Sequence, residues 1–143
     1  MPVRDFQDLV CWRLSYQLKC EVVEFTATGP ASRDFKYRDQ IRDSSRSAPR
    51  NIAEGFGRFR PREFARFLEF ARASLDETLD HLIDGRDSGY LSQILFSRLS
   101  NLQRAAQKAT TNLMLSKQRQ VRTRSKHSMA KPAQHPRAKP QAR

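Results

Sequence analysis

The stretch Arg46-Ser47-Ala48-Pro49-Arg50-Asn51-Ile52-Ala53-Glu54-Gly55-Phe56-Gly57-Arg58 decides how the rest of the chain is read. Proline cannot donate a backbone hydrogen bond, so Pro49 predicts a kink or a restart. Glycine reaches positive φ without strain, so Gly55 and Gly57 predict the end of a helix. The stretch therefore reads as a corner between two long helices, with Pro49, Asn51, Ile52, Ala53, Glu54, Gly55 and Gly57 shaping it.

Upstream, a helix should begin near Ser32, carry Asp34 in its first turn and reach Glu54. Phe35, Ile41, Ser45, Ala48 and Ile52 recur at helical spacing as its inward line, and the small members let a neighbour approach closely. Arg38, Arg42, Arg46 and Arg50 stand four apart, which puts their guanidinium groups on one slowly winding ridge. Arg58, Arg60, Arg62 and Arg66 carry the same charge through the corner. Downstream, Pro61 suits the first turn of a helix and Glu63 suits its positive end. Phe64, Phe67, Leu68, Ala71, Leu75, Leu79, Leu82 and Ile83 form the strongest apolar stripe in the chain, broken by Gly85 to Gly89. Asp76, Glu77, Asp80, Asp84 and Asp87 gather toward the end of that helix.

Two outer helices complete the pattern. The first should run from Phe6 to Ala27, capped by Asp5 and stopped by Gly29-Pro30. Its apolar arc is wide, with Leu9, Trp12, Tyr16 and Val23 on one side and Val10, Leu14, Leu18, Val22 and Phe25 on the next. That width predicts burial in a bundle or at a subunit contact. The last should run from Ser92 to about Lys117, with Leu95, Leu99, Leu102, Ala106, Ala109 and Leu113 alternating steps of four and three, the seam of shallow-angle packing. These elements predict an all-α fold, an antiparallel up-down-up-down four-helix bundle over residues 1–117. Residues 118–143 lose the apolar pattern and predict a disordered basic tail.

The net charge is +12, from 27 Lys and Arg against 15 Asp and Glu. Nine of the basic residues lie from Lys117 onward with no acid among them, so most of the excess sits in the tail. Such a balance favours polyanionic partners. The charged start lacks the apolar run of a secretory signal, and no window approaches the ~18 apolar residues of a membrane span; both predict a cytoplasmic protein with no membrane partner. Cys11 and Cys20 on one helix would lie about 13 Å apart along its axis. They are too far apart to bridge and read as reduced, half-buried packing residues.

The block Asn51-Ile52-Ala53-Glu54-Gly55-Phe56-Gly57-Arg58 closely resembles the signature of the four-helix-bundle proteins encoded in bacterial 23S rRNA intervening sequences. Phe6 through Trp12, Gln40-Ile41-Arg42, Glu63-Phe64, Phe67-Leu68 and Gly89-Tyr90-Leu91 fall where that family's pattern would put them, so the resemblance spans roughly residues 5 to 116. It implies a left-handed four-helix bundle. Through the related accessory proteins of diversity-generating retroelements, it also implies a homo-oligomer, a pentameric ring, with a basic surface toward nucleic acid and a reverse transcriptase. Ala73 stands where the family commonly has glycine, and the tail after Lys117 looks like an addition.

An enzymatic reading has little support. No Glu-x-x-His motif is present for a di-iron bundle, two lone cysteines fit no zinc pattern, and Gly55 and Gly57 lack the Lys-Ser/Thr of a phosphate loop. Ser74 and His81 lie seven residues apart on one helix, about 10 Å, with nothing to form an oxyanion hole. The expectation is a protein without catalytic residues, metal or cofactor. Asn51 and Glu54 read as a structural pair tying the corner to the next helix by hydrogen bonds.

The candidate nucleic-acid-binding residues are Arg38, Arg42, Arg46, Arg50, Arg58, Arg60, Arg62 and Arg66, because guanidinium groups suit bidentate phosphate contact. The bland reading, a solvated face paired with Asp34, Asp39, Asp43, Glu63 and Glu69, weighs about equally for a single helix. Repetition of the patch in a homo-oligomer would favour binding. The tail has few aromatics and would act through phosphate charge. The expected function is non-enzymatic binding of nucleic acid, RNA ahead of DNA. The alternative is a protein-interaction scaffold or accessory subunit for a polymerase or reverse transcriptase.

Overall fold

The computed structural model describes residues 2–130, and all its regular elements are helical. They are α1 (Val10–Phe25), α2 (Gly29–Arg33), α3 (Phe35–Phe56), α4 (Pro61–Asp87) and α5 (Gln93–Met129), with a single 3-10 turn at Phe6–Asp8 ahead of α1. The expected first helix is thus split at Leu9, whose ψ of 127° is extended. The cause is local: the Asp8 carboxylate accepts the backbone N–H groups of Arg4 (3.0 Å) and Asp5 (3.1 Å), closing a separate turn.

Each long helix packs on two others, α1 on α3 and α5, and α4 on α3 and α5. Between α3 and α4, and between α4 and α5, the side-chain pairs run in opposite directions along the two helices. Between α3 and α4, Tyr37 meets His81, Ser44 meets Thr78 and Ser47 meets Ser74. Between α4 and α5, Gln107 reaches Asp76 and Gln103 reaches the Leu75 carbonyl. Glu21 of α1 binds Arg98 near the start of α5 at 2.7 Å, while Arg42 early in α3 reaches Val23 and Thr26 at the end of α1.

The core falls into two parts. Leu18, Val22, Ile41, Leu75, Leu82 and Leu99 fill one, toward the α4–α5 turn. Ile52, Phe64, Leu68, Ala71, Cys11 and Met114 fill the other, beneath the α3–α4 corner. Complete burial of a Leu or Ile side chain is worth about 1.5–3 kcal/mol relative to exposure, so these two clusters supply the main driving force for the fold. Phe35, expected on the inward line of α3, is instead 65% exposed. Tyr37 takes the buried position two residues on, where its hydroxyl donates to the His81 carbonyl at 2.8 Å.

The corner differs from its sequence reading. Pro49 neither ends nor restarts a helix: α3 continues through it to Phe56, and the ring is buried. Packing on both sides of the proline outweighs the single backbone hydrogen bond it withholds. Neither Gly55 nor Gly57 has positive φ; the positive values are at Gly29 (69°) and Gly89 (75°). Gly57 has φ −70° and ψ −8°, ordinary for any residue. Gly55 is needed for a different reason, since a Cβ there would stand 2.8 Å from Phe67 Cβ on α4. Gly29-Pro30 opens the short α2 as well as following α1, and Asp34 caps α3 by accepting the Tyr37 N–H at 3.1 Å.

At the other end, α4 runs through Gly85, and the chain turns at Gly89. There Gly89 N–H donates to the Arg86 carbonyl and Tyr90 N–H to the Gly85 carbonyl (2.8 Å), the paired bonds of a Schellman cap. Ser92 caps α5 through the Leu95 N–H at 3.1 Å.

The largest departure is the length of α5, which continues to Met129 where disorder was expected from residue 118. Gln, Arg, Lys and Ser fill this extension; they are compatible with a helix even without an apolar face, and loss of hydrophobic period marks loss of burial only. The rest of the expected tail, 131–143, lies outside the described residues.

Candidate nucleic-acid interface

The four arginines of the α3 ridge fall into two pairs. Arg38 Nε lies 3.0 Å from Asp39 Oδ1, and the guanidinium covers the Phe35 ring at 4.9 Å. Arg42 donates from Nε to Thr26 Oγ1 (2.7 Å) and from Nη2 to the Val23 carbonyl (3.2 Å). It therefore satisfies the last turn of α1, which has no basic side chain of its own there. Arg46 and Arg50 are exposed, with no carboxylate within 4.0 Å among the described residues. They form the half of the ridge nearer the corner. A groove of about 420 Å³ beside Arg42 and Arg46 is also lined by Asp39 and Asp43, so its field is mixed.

The corner carries the denser charge. Arg58 is held by Glu54 Oε1 at 3.1 Å and lies 5.1 Å from the Phe67 ring centre. Arg60, Arg62 and Arg66 are exposed, and Arg66 covers Phe70 at 5.6 Å. Stacking a guanidinium on an aromatic face restrains it without cancelling its charge. Asn51 and Glu54 bond within their own helix and corner: Asn51 Nδ2 donates to the Ser47 carbonyl (2.9 Å) and hydroxyl (3.0 Å), and Glu54 holds Arg58. The direct tie to the next helix expected of this pair is made by Ser47, whose hydroxyl lies 2.8 Å from that of Ser74 on α4. Ile52 is fully buried, and the Ala53 carbonyl accepts the Gly57 N–H.

Folding brings a second basic segment to this corner. Because α5 runs back along α4, its final turns pass the start of α4, and Lys117 Nζ sits 5.2 Å over the Phe64 ring. Beyond it, Arg62, Arg66, Glu69, Phe70, Val121 and Arg122 line an open groove of about 430 Å³. Arg119, Arg124 and Lys126 extend the same charge along an exposed helix. In the sequence the corner and the tail are separate features, with fifty residues between Arg66 and Lys117. The signal that joins them is the antiparallel pairing of α4 and α5. The acids of α4 from Asp76 to Asp87 lie toward the opposite end, so the molecule is electrically polarised along its length.

That opposite end is tied by carboxylate and phenol. Tyr90 donates to Asp34 Oδ2 at 2.6 Å, and Tyr37 and Tyr90 meet edge to face at 4.9 Å. The Tyr90 hydrogen bond, with the Tyr37 N–H, holds the Asp34 carboxyl below its ordinary value, and the same bond raises the Tyr90 phenol. Burial raises the Tyr37 phenol. Cys11 is buried, which pushes its thiol up to about 11, whereas Cys20 is exposed. Both are free thiols. Three or more His, Cys, Asp or Glu side chains do not cluster as a metal site anywhere among the described residues. No helix among them is long and apolar enough to cross a membrane.

The family model described as 23S rRNA-intervening sequence protein matches residues 7–112. The chain belongs to this family. The match covers α1 to α4 and α5 as far as residue 112, and it stops before the basic extension. A search of curated proteins finds no match.

Proposed function

We propose that this member of the intervening-sequence family is a cytoplasmic, non-enzymatic RNA-binding protein, an up-down-up-down four-helix bundle that acts as a homo-oligomer. The observation that carries the reading is the convergence of Arg62 and Arg66 with Arg122 around an open groove at one end of the fold, with Lys117 beside it over the Phe64 ring. A guanidinium restrained on an aromatic ring with no carboxylate within 4.0 Å among the described residues, as Arg66 is on Phe70, suits phosphate. RNA is favoured over DNA by the ribosomal RNA context of the family's name. The working surface is the corner and the α5 extension with Arg46 and Arg50, while Arg38 and Arg42 serve the fold.

Exposed Val10 (62%) and Tyr16 (43%) on α1 support a contact between copies, and a pentamer is the size the family resemblance implies. The same surface supports the second reading, a scaffold for a polymerase or reverse transcriptase. Light scattering on the full chain separates a ring from a monomer.

Salt dependence tests the main reading. Replacing Arg62, Arg66 and Arg122 together by Gln should flatten the slope of log K against log salt by about 2, since each phosphate contact to a single strand contributes about 0.7. An unchanged slope, or no RNA binding at low salt, would refute it.

A further inference from the structure

Phe59 stands at the tip of the corner, 99% exposed, between Arg58 and Arg60. Every other phenylalanine has a partner. Phe6, Phe56, Phe64, Phe67 and Phe70 meet aromatic rings, Phe35 and Phe96 lie under arginines, and Phe25 packs on the core. Phe59 alone has no ring, cation or core residue against it among the described residues.

The backbone on either side of it is nevertheless held. Gly57 N–H donates to the Ala53 and Glu54 carbonyls, Arg58 N–H donates to Gly55, and Pro61 opens α4 immediately after. Arg58 is pinned between Glu54 and Phe67. A tip anchored on both sides thus presents one bare aromatic face between guanidinium groups.

Resting on the reading that this end binds RNA, we infer that Phe59 stacks on an unpaired RNA base while Arg60 and Arg62 hold the phosphates on either side. The bases of a continuous duplex are already stacked on each other, whereas those of a loop or bulge are free to pair with an aromatic face. Charge argues against a protein occupant: burying Arg60 and Arg62 against an apolar surface would desolvate cations without supplying anions, whereas a phosphate backbone supplies one beside each base. The corner therefore selects single-stranded over double-stranded RNA. The α5 extension, with few aromatics, adds affinity for either.

The test uses the full chain with two RNA probes of equal phosphate count, a hairpin with a five-nucleotide loop and a blunt duplex. Fluorescence anisotropy should show tighter binding to the hairpin. Phe59→Ala should weaken hairpin binding by about fivefold to a hundredfold, with duplex affinity and salt slope unchanged. Phe59→Trp should restore the preference, and its emission should be quenched by the hairpin and not by the duplex. Equal binding of both probes by the unaltered chain, or equal affinities for Phe59→Ala and the unaltered chain, overturns the inference and leaves RNA binding intact. A shift in sedimentation mass for Phe59→Ala, with hairpin affinity unchanged, overturns it in favour of a contact between copies. Failure of the unaltered chain to bind either probe overturns this inference and the proposed function together.

Discussion

Substituting Gly55 and Gly57 separately by alanine distinguishes two physical roles for glycines two residues apart. At Gly57 the backbone is already right-handed, and an added Cβ comes no nearer than 3.4 Å, to the Glu54 carbonyl oxygen. Alanine there should stabilise by about 0.4–1 kcal/mol, by narrowing the unfolded ensemble. At Gly55 the added Cβ meets Phe67 Cβ at 2.8 Å and the Phe64 carbonyl oxygen at 3.4 Å. Nonbonded carbons settle about 3.5–4.0 Å apart, so α3 and α4 would have to separate by roughly 1 Å at this point.

The atom in the way is attached directly to the α4 backbone and cannot swing aside. Overpacking of this kind costs about 1–3 kcal/mol, against the roughly 1 kcal/mol that alanine gains over glycine inside a helix. The expected result is a net loss of about 1 kcal/mol, and at most about 2, for Gly55→Ala and a difference of about 2 kcal/mol between the two variants. Urea titrations followed by circular dichroism would read this as opposite shifts in midpoint at an unchanged slope. If Gly55→Ala is as stable as Gly57→Ala, close helix approach is not what glycine provides at position 55.

Two further outcomes are expected. Cys20 should react with a thiol reagent in the native protein while Cys11 reacts only on unfolding, because burial both shields the Cys11 thiol and raises it to about 11; native labelling of both at similar rates would contradict this. Asp34 has its carboxyl lowered by the Tyr90 hydroxyl, so its contribution is complete above the unfolded value of about 3.9 and is lost as pH falls through the lower folded value. Asp34→Asn should therefore be less sensitive to acid than the unaltered chain when midpoints are compared across that range, and parallel acid profiles would count against the Asp34–Tyr90 bond.

Much of the helical layout is legible in the residues. Pro61 and Ser92 start their helices where expected, and Ile41, Ala48, Ile52, Leu68, Leu75, Leu82 and Leu99 are buried where periodicity puts them. The errors lie where local preference and packing disagree. Pro49 is a breaker by its own chemistry, yet the helix on either side is anchored by Ile41, Ala48 and Ile52. The α5 extension has no apolar period because it has few neighbours, and period reports neighbours. Among the arginines, sequence spacing identifies the ridge but cannot say that Thr26 and Val23 occupy Arg42. An aromatic in a turn leaves no periodic trace, so spacing alone does not single out Phe59.

The hydroxyl pairs between α3 and α4 also bear on how the two helices find their alignment. Ser44 with Thr78 and Ser47 with Ser74 are chemically similar rungs, and sliding one helix by a turn, about 5.4 Å, would set Ser44 near Ser74 with little change in bonding character. The polar seam alone would therefore tolerate a slipped bundle. Tyr37 removes that freedom. Its phenol lies against Gly85, where any side chain would overlap it while the hydroxyl donates to the His81 carbonyl, and a slip of one turn would bring the His81 side chain into the place that Gly85 leaves open. A ring on one helix keyed to a missing side chain on the other works like a pin in a vernier, choosing one alignment among several that the repeating rungs would accept.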